Sequence, residues 1–408
     1  MTDSQGLIAN VKRLGLEVAG YFTYNPRIQL LGFAGLGRHG GTIILSEAAS
    51  DEHEARNLVV KYSYGALSPD EQSNADEDLR NEYRWLKRLR GAEHIVQLIP
   101  MADCSLNIPG TSNGDETYEQ SQQAGADGSQ STTANTRRCP TFALEYLPYD
   151  TIFKLDRRIK RGGEIHIIPS RFLWRLWLCM IRQCIAMAFP PNLGEEEYYG
   201  QIIREEIQNK PYEGLTQNSA HNKNFMFGEA YLGGVEHEPG MPVLKLIDFG
   251  RGKIETEETS IERLPNNPTQ YGSSKNLSGA AQVLMRLACV GPEIAFPQMN
   301  RVIMYNYTDE FGIERSVQTR APAILRQNTV MDPQLRHMLV RCLAYPHAFR
   351  PTLQEVLDET IAAVRDRGPT YPGLLTEDAR RGGVSETDDA IRDFLQRFIY
   401  DPPPPPGR

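Results

Sequence analysis

Residues Leu244-Lys245-Leu246-Ile247-Asp248-Phe249-Gly250 put an aspartate at the end of a short apolar run, with a glycine two residues on. A carboxylate at a strand end, followed by a residue of wide backbone freedom, suits holding a hard divalent cation against phosphate oxygens. Just upstream, His221-Asn222-Lys223-Asn224-Phe225-Met226-Phe227-Gly228 begins a second β-rich run at Asn224. Asn224–Phe227 and Val243–Ile247 are expected to pair as strands across a Gly/Glu/Pro-rich turn. An Asn carbonyl and an Asp carboxylate at the ends of paired strands can share one metal ion.

Working outward toward the N-terminus, residues 29–46 read as two short strands around a glycine-rich turn that holds Gly32, Gly35 and Gly37. Closely spaced glycines let backbone N–H groups approach a phosphate, although glycine turns also join many ordinary hairpins. Ala34 stands where a strict GxGxxG would need glycine. Asn57–Ser63 is a strand carrying Lys61 after Val59 and Val60. A helix follows over Leu79–Leu89, with Leu79, Tyr83, Leu86 and Leu89 at helical spacing and Glu82 among them. A buried lysine needs an acidic partner, which Glu82 can supply. Taken alone, a snorkelling surface lysine and a solvated helix charge explain both residues as well. Short strands are expected at His94–Ile99 and Thr141–Tyr146. Between them, Asn113–Arg138 is almost free of aliphatic residues and reads as a disordered insertion, bounded at about 105–138.

The rest of the chain is mostly helical in pattern. Ser170–Phe189 is apolar on most faces but contains Arg175 and Arg182, so it reads as a buried helix and no membrane segment is expected. Gly194–Gly214 is acidic and polar, a peripheral helix or loop. Helices are expected at Leu277–Ala288, Gln334–Leu343 and Leu353–Asp366, the last opened by Thr352 as N-cap with Glu355 as its capping-box partner. Pro402–Pro406 is a polyproline end. Strands in the first third and helices beyond it make an α+β chain, a small β-rich lobe followed by a larger α-helical one.

Composition narrows the class. The 408 residues, 40% hydrophobic, suit one large or two ordinary domains. A net charge of −8 argues against a protein that wraps nucleic acid. Six cysteines without a CxxC pair read as reduced core residues. With no apolar leader in the first residues, a cytoplasmic or nuclear setting is expected.

In order along the chain stand a glycine loop, a strand lysine, a helix glutamate, the segment FALEYL with Leu144, Asn224, Asp248-Phe249-Gly250 and an Arg350-Pro351-Thr352 helix. This order resembles the protein kinase fold from about Leu30 to Val364. More narrowly it resembles a divergent kinase-like group common in filamentous fungi. The resemblance implies a bilobal fold, with an N-lobe over 1–147, a C-lobe over 148–370 and a Pro-rich C-terminal extension over 371–408. It implies ATP with Mg²⁺ or Mn²⁺ as cofactors. Lys61 would meet the α- and β-phosphates and pair with Glu82, and Gly32, Gly35 and Gly37 would cover them. The backbone around Glu145 and Leu147 would meet the adenine, and Asn224 and Asp248 would hold the metal.

The catalytic loop departs from that pattern. Counted back from Asn224, the family's catalytic aspartate falls on Ser219, whose hydroxyl has no useful basicity at neutral pH. His221 stands at a phosphate-contacting lysine position, as in aminoglycoside- and choline-kinase-like enzymes. Gln217 replaces the loop histidine, and Asn276 stands near the aspartate that braces the loop. No APE motif follows Gly250, so Arg350 is expected to lack its glutamate partner. The expectation is a kinase-like ATP-binding protein with weak or absent phosphotransfer, a pseudokinase-like scaffold or regulator with a protein partner or substrate. The alternatives are an active Ser/Thr kinase, a small-molecule phosphotransferase and a nucleotidyl transferase.

Overall fold

The computed structural model describes residues 4–37, 40–51, 54–64, 69–99, 105–109, 136–160, 167–194, 201–230, 240–255, 270–289, 301–309, 311–371 and 385–402. Contacts divide the chain into two compact units, Met1–Trp85 with Gln97–Tyr146, and Leu86–Val96 with Leu147–Arg408.

The first unit holds helix α1 (Ser4–Thr23), strands β1 (Ile28–Gly37), β2 (Gly40–Glu47) and β3 (Arg56–Ser63), and most of helix α2 (Pro69–Arg88). Strands β4 (Leu98–Ile99), β5 (Ser105–Pro109) and β6 (Thr136–Glu145) complete it. Five strands form an antiparallel sheet in the order β1-β2-β3-β6-β4. The second half of β6 pairs with β3 and β4, while its first half pairs with β5, from Ser105 opposite Pro140 to Pro109 opposite Thr136. The edges of the expected insertion at 105–138 are therefore a regular ladder. A two-stranded ribbon satisfies its backbone groups by pairing and needs no aliphatic face. Residues 110–135, the greater part of that insertion, lie outside the described residues.

Helix α1 had no counterpart in the sequence reading. Val11, Leu14, Val18 and Phe22 recur every three or four residues and pack over Ile43, Leu45, Leu58, Val60 and Tyr62 of the sheet. The Tyr62 hydroxyl donates to the Val11 carbonyl at 2.7 Å. Gly15 lets the helix approach, since a Cβ there would lie 2.4 Å from the Tyr62 hydroxyl oxygen. Each fully buried aliphatic on this face contributes on the order of 1.5–3 kcal/mol.

The second unit is built around helix α4 (Ser170–Ala188), every residue of which is buried. Before it comes α3 (Ile152–Ile159). After it come β7 (Leu215–Thr216), β8 (Phe225–Ala230), β9 (Pro242–Leu246), β10 (Lys253–Ile254), α5 (Gln270–Ala288) and a hairpin of β11 (Ile303–Thr308) and β12 (Glu314–Thr319). Helices α6 (Ala323–Arg326), α7 (Pro333–Cys342), α8 (Leu353–Asp366) and α9 (Asp388–Leu395) follow. Strands β8 and β9 pair as expected, and α4 packs against α5 and α8. The β11–β12 hairpin was not foreseen. Its alternating exposed and half-buried residues cover no large core, so the sequence there carries little apolar signal.

One expectation is corrected and another is narrowed. Only Leu98–Ile99 of the expected strand His94–Ile99 is strand. His94 and Val96 instead exchange backbone hydrogen bonds with Leu246, at 2.9 and 3.1 Å. The stretch Gly194–Gly214 is, in its described part, a mostly exposed loop, one of its two expected forms, with Glu205 and Gly214 turned inward. Residues 201–214 form no helix, and Glu205 is buried because His94 draws its carboxylate inward.

The C-terminal residues 385–402 pack on this same unit, burying Ile391, Phe394, Leu395, Phe398 and Ile399. Residues 403–406 of the proline run lie outside the described residues. Cys139, Cys179, Cys184, Cys289 and Cys342 are buried free thiols, while Cys104 is outside the described set. No described helix is long and apolar enough to cross a membrane.

Candidate functional site

The expected site residues fall on both units, and each set has its own geometry. In the first unit β3 carries Lys61 between Thr42 of β2 and Phe142 of β6. Its ammonium forms an ion pair with Glu82 of α2, whose side chain is buried. A buried carboxylate so placed is stabilised by a cation and strongly disfavoured without one.

Gly32, Gly35 and Gly37 do not lie in a turn as expected. They belong to β1, which runs to Gly37, and its pairing with β2 slips between Leu30 and Gly32 and again between Phe33 and Gly35. Such bulges twist a strand locally. A Cβ at Gly32 would meet nothing within 4 Å, so packing inside the unit does not require glycine there. Glu145 closes β6. Its N–H donates to the Gln97 carbonyl at 3.0 Å, and its carboxylate accepts the Gln97 N–H at 2.7 Å. Leu147 is buried in the second unit, beside Gly228.

The second unit brings together the loop before β8 and the residues after β9. Asn224 is buried, and its side-chain amide donates to the Ser219 carbonyl at 3.0 Å and to the Ser219 hydroxyl at 3.4 Å. With the amide nitrogen engaged there, the side-chain oxygen is the donor left for a cation. The Asn224 carbonyl accepts from Ile247, so Asp248 is the next residue along from this pairing. Asp248 has φ of +68°, a left-handed conformation that costs a non-glycine residue roughly 1 kcal/mol or more. Its carboxylate accepts the Gly250 N–H at 3.2 Å, which ties down the turn, and Phe249 is fully buried. An Asp carboxylate and an Asn carbonyl are hard oxygen donors, a set that fits Mg²⁺ or Mn²⁺.

The loop is braced from α5. Asn276 accepts the Gln217 N–H at 3.3 Å and donates to the Leu215 carbonyl at 2.8 Å. Gln217 in turn donates to the Asp248 carbonyl at 2.8 Å and accepts the Ser219 N–H at 3.1 Å. Two amide side chains, Gln217 and Asn276, thus hold the loop. His221 is half-buried, and its Nδ1 has no hydrogen-bond partner among the described residues. Burial pushes its pKa down, only partly offset by the Asp248 carboxylate, so the ring is held neutral.

Arg350 donates to the Ala344 carbonyl at 3.1 Å and to the Ser274 carbonyl at 2.9 Å, so backbone acceptors hold its guanidinium. The capping box of Thr352 and Glu355 is present as expected.

A second cluster was missed. Glu93, His94 and Glu205 place ligand atoms within 4.8 Å of one another. Both Glu205 oxygens are already engaged, one by the His94 ring and one by the His94 N–H, each at 2.7 Å. The cluster is therefore an ion pair that holds two chain segments, not an open metal centre. Glu205 in Arg204-Glu205-Glu206 gave no signal of this, because its partner lies 111 residues away.

A scan against protein-family models and a search of curated proteins found no match to this chain.

Proposed function

We propose that the chain is a protein kinase-like ATP-binding protein of weak or absent phosphotransfer, with a scaffolding or regulatory role toward a protein partner. The first unit would be the small lobe and the second the large one. The observation that carries the reading is the loop from Leu215 to Asn224. Asn276 and Gln217 brace it, Asn224 grips Ser219, and Asp248 sits in a left-handed turn beside it, yet Ser219 offers no carboxylate. A braced loop that lacks its base fits nucleotide binding better than fast chemistry.

In this reading Lys61, positioned by Glu82, would contact the α- and β-phosphates, and Asn224 and Asp248 would hold Mg²⁺ or Mn²⁺. The metal, when bound, supplies charge neutralisation of the phosphates. The slack around Gly32 suits a strand whose backbone comes close to phosphate. Glu145 and Leu147 would present backbone to the adenine.

Calorimetric titration with ATP tests this. Wild type is expected to bind ATP more tightly with Mg²⁺ than with EDTA, and Asp248→Ala to bind equally in both. No heat of binding at millimolar ATP would remove the nucleotide reading.

A transfer assay with γ- and α-labelled ATP tests the chemistry. Turnover on generic peptides is expected to stay well below the usual ~1–100 s⁻¹. Turnover on that scale, lost in Lys61→Ala and retained in Ser219→Ala, would replace the pseudokinase reading. The neutral His221 ring, with its unpartnered Nδ1, favours a small-molecule phosphotransferase as the second reading.

A further inference from the structure

The β11–β12 hairpin stands on the second unit by one face and by part of one edge. Tyr305 and Tyr307 turn inward, where their rings lie 5.9 and 4.7 Å from that of His337 on α7. On the far side of β12, the Gln318 carbonyl accepts the Tyr345 N–H and the Leu343 carbonyl accepts the Arg320 N–H, each at 3.0 Å. The outer edge of β11 has no such cover: among the described residues no other strand pairs with it.

The phase of the ladder fixes which groups that edge carries. The Asp309 N–H donates to the Ile313 carbonyl at 3.0 Å. By the alternation of an antiparallel pair, Tyr307, Tyr305 and Ile303 also turn their backbone groups toward β12, while Met304, Asn306 and Thr308 turn theirs outward. Gln318, opposite Met304, accordingly points its carbonyl away from β11. Open edges are usually guarded by a lysine, a proline or a bulge. Residues 303–308 contain no charge and no proline. Their pairing with β12 runs without a slip, whereas that of the edge strand β1 slips twice.

The same hairpin carries exposed apolar side chains at both ends. Val302 and Met304 stand at its start, and Phe311 and Ile313 at its tip, with Met304 56% and Phe311 78% exposed. The tip is held in place. Asp309 accepts the N–H groups of Phe311 and Ile313 at 3.0 and 2.9 Å and Arg315 Nε at 3.0 Å, and Gly312 takes φ of +76° to close the turn. Within one copy these two apolar pairs lie at opposite ends of the strand. Two hairpins laid antiparallel, edge to edge, bring each tip to the start of the other and join the pairs into one patch.

We propose that two copies of the chain associate through this edge, β11 against β11, about a two-fold axis at Asn306. Met304 then lies opposite Thr308 of the second copy, and Asn306 opposite its own counterpart. Every outward N–H and C=O of the strand finds a partner, and no like charges meet across the axis. Counting on from Asn306 sets Phe311 and Ile313 beside Arg301 and Val302 of the second copy. This inference does not depend on the nucleotide reading.

Sedimentation velocity of the full-length protein across the micromolar range tests it. The mass is expected to rise from monomer to dimer with concentration. Asn306→Pro removes only an outward N–H, so the hairpin keeps its ladder, while each dimer loses that bond twice. Its dissociation constant is expected to rise about tenfold or more. Asn306→Lys sets two ammonium groups opposite each other and is expected to weaken the dimer likewise. Ser316→Lys puts the same charge one strand in, opposite Asn306 within the hairpin, and is expected to leave the dimer in place. At concentrations where wild type is a monomer, all three variants are expected to keep its Tm. A wild type that stays monomeric throughout would overturn the interface, as would a dimer that persists equally in both Asn306 variants. So would a loss in Ser316→Lys as large as that in Asn306→Lys, which would assign the effect to added charge and not to the edge.

Discussion

Glu205→Ala is expected to destabilise the protein by about 3–5 kcal/mol, the usual cost of breaking one side of a buried pair. The carboxylate holds the His94 ring and the His94 N–H, and His94 is fully buried. Alanine would leave both donors buried without it. The Glu205 backbone carbonyl also accepts from Arg182, a bond that survives the substitution and keeps the segment nearby. Burial alone would push His94 down, but the Glu205 carboxylate and the Cys179 sulfur outweigh it and raise it from 6.5 to about 10. The imidazolium is thus favoured in the folded state, so its contribution is complete below pH 6.5 and is lost as pH climbs through about 10. A double-mutant cycle of His94→Gln and Glu205→Gln, followed by urea unfolding, checks this. The coupling is expected to be large at pH 6 and much reduced near pH 10. A coupling independent of pH would mean that a neutral hydrogen bond, and not an ion pair, joins the two residues.

Asp332→Ala is expected to cost a similar amount, about 3–5 kcal/mol, for different reasons that add together. One oxygen of Asp332 accepts the Gln334 N–H at 2.9 Å and caps α7. The other accepts from Arg367 and from Trp174. Alanine removes a cap worth about 1 kcal/mol, leaves an indole N–H buried and strands a guanidinium that is almost wholly out of solvent. Asp332→Asn keeps the cap acceptor and the shape while removing the charge. It is expected to recover the cap but not the pairing, so its midpoint in thermal unfolding falls between wild type and alanine. Equal stability of the asparagine and wild-type proteins would show that Arg367 does not need its anion.

Much of the local architecture was legible in the sequence. The strands around Lys61 and Asp248, the buried helix at Ser170–Phe189 and the cap at Thr352 each follow from short patterns: alternation, three-four spacing, a hydroxyl before a glutamate. The pairing of Lys61 with Glu82 was legible because only 21 residues separate them and both carry charge. What escaped was long-range or disguised. Helix α1 shows the right spacing, but charged residues such as Lys12, Arg13 and Glu17 dilute it, and its burial depends on a sheet that forms later in the chain. Gln217 and Asn276 looked like losses of function-bearing side chains. An amide donates and accepts at once, so it can brace a backbone as a charged residue does, without needing a counter-charge. Arg175 was read only as a mark against a membrane span, because the α8 residues beside it, Ala363, Val364 and Arg367, lie almost two hundred residues away in sequence.

The covering of the five-stranded sheet by α1 bears on how this chain can be handled. Ile43, Leu45, Leu58 and Val60 share one apolar face, and among the described residues α1 packs over it. A version of the protein begun at Ile28, a natural-looking start on the first strand, would carry every residue of the candidate site and still present that face to water. Exposed apolar area of this kind drives self-association. Recombinant work on any part of the molecule is therefore best begun ahead of Ser4, with affinity tags carried beyond the helix and not in place of it.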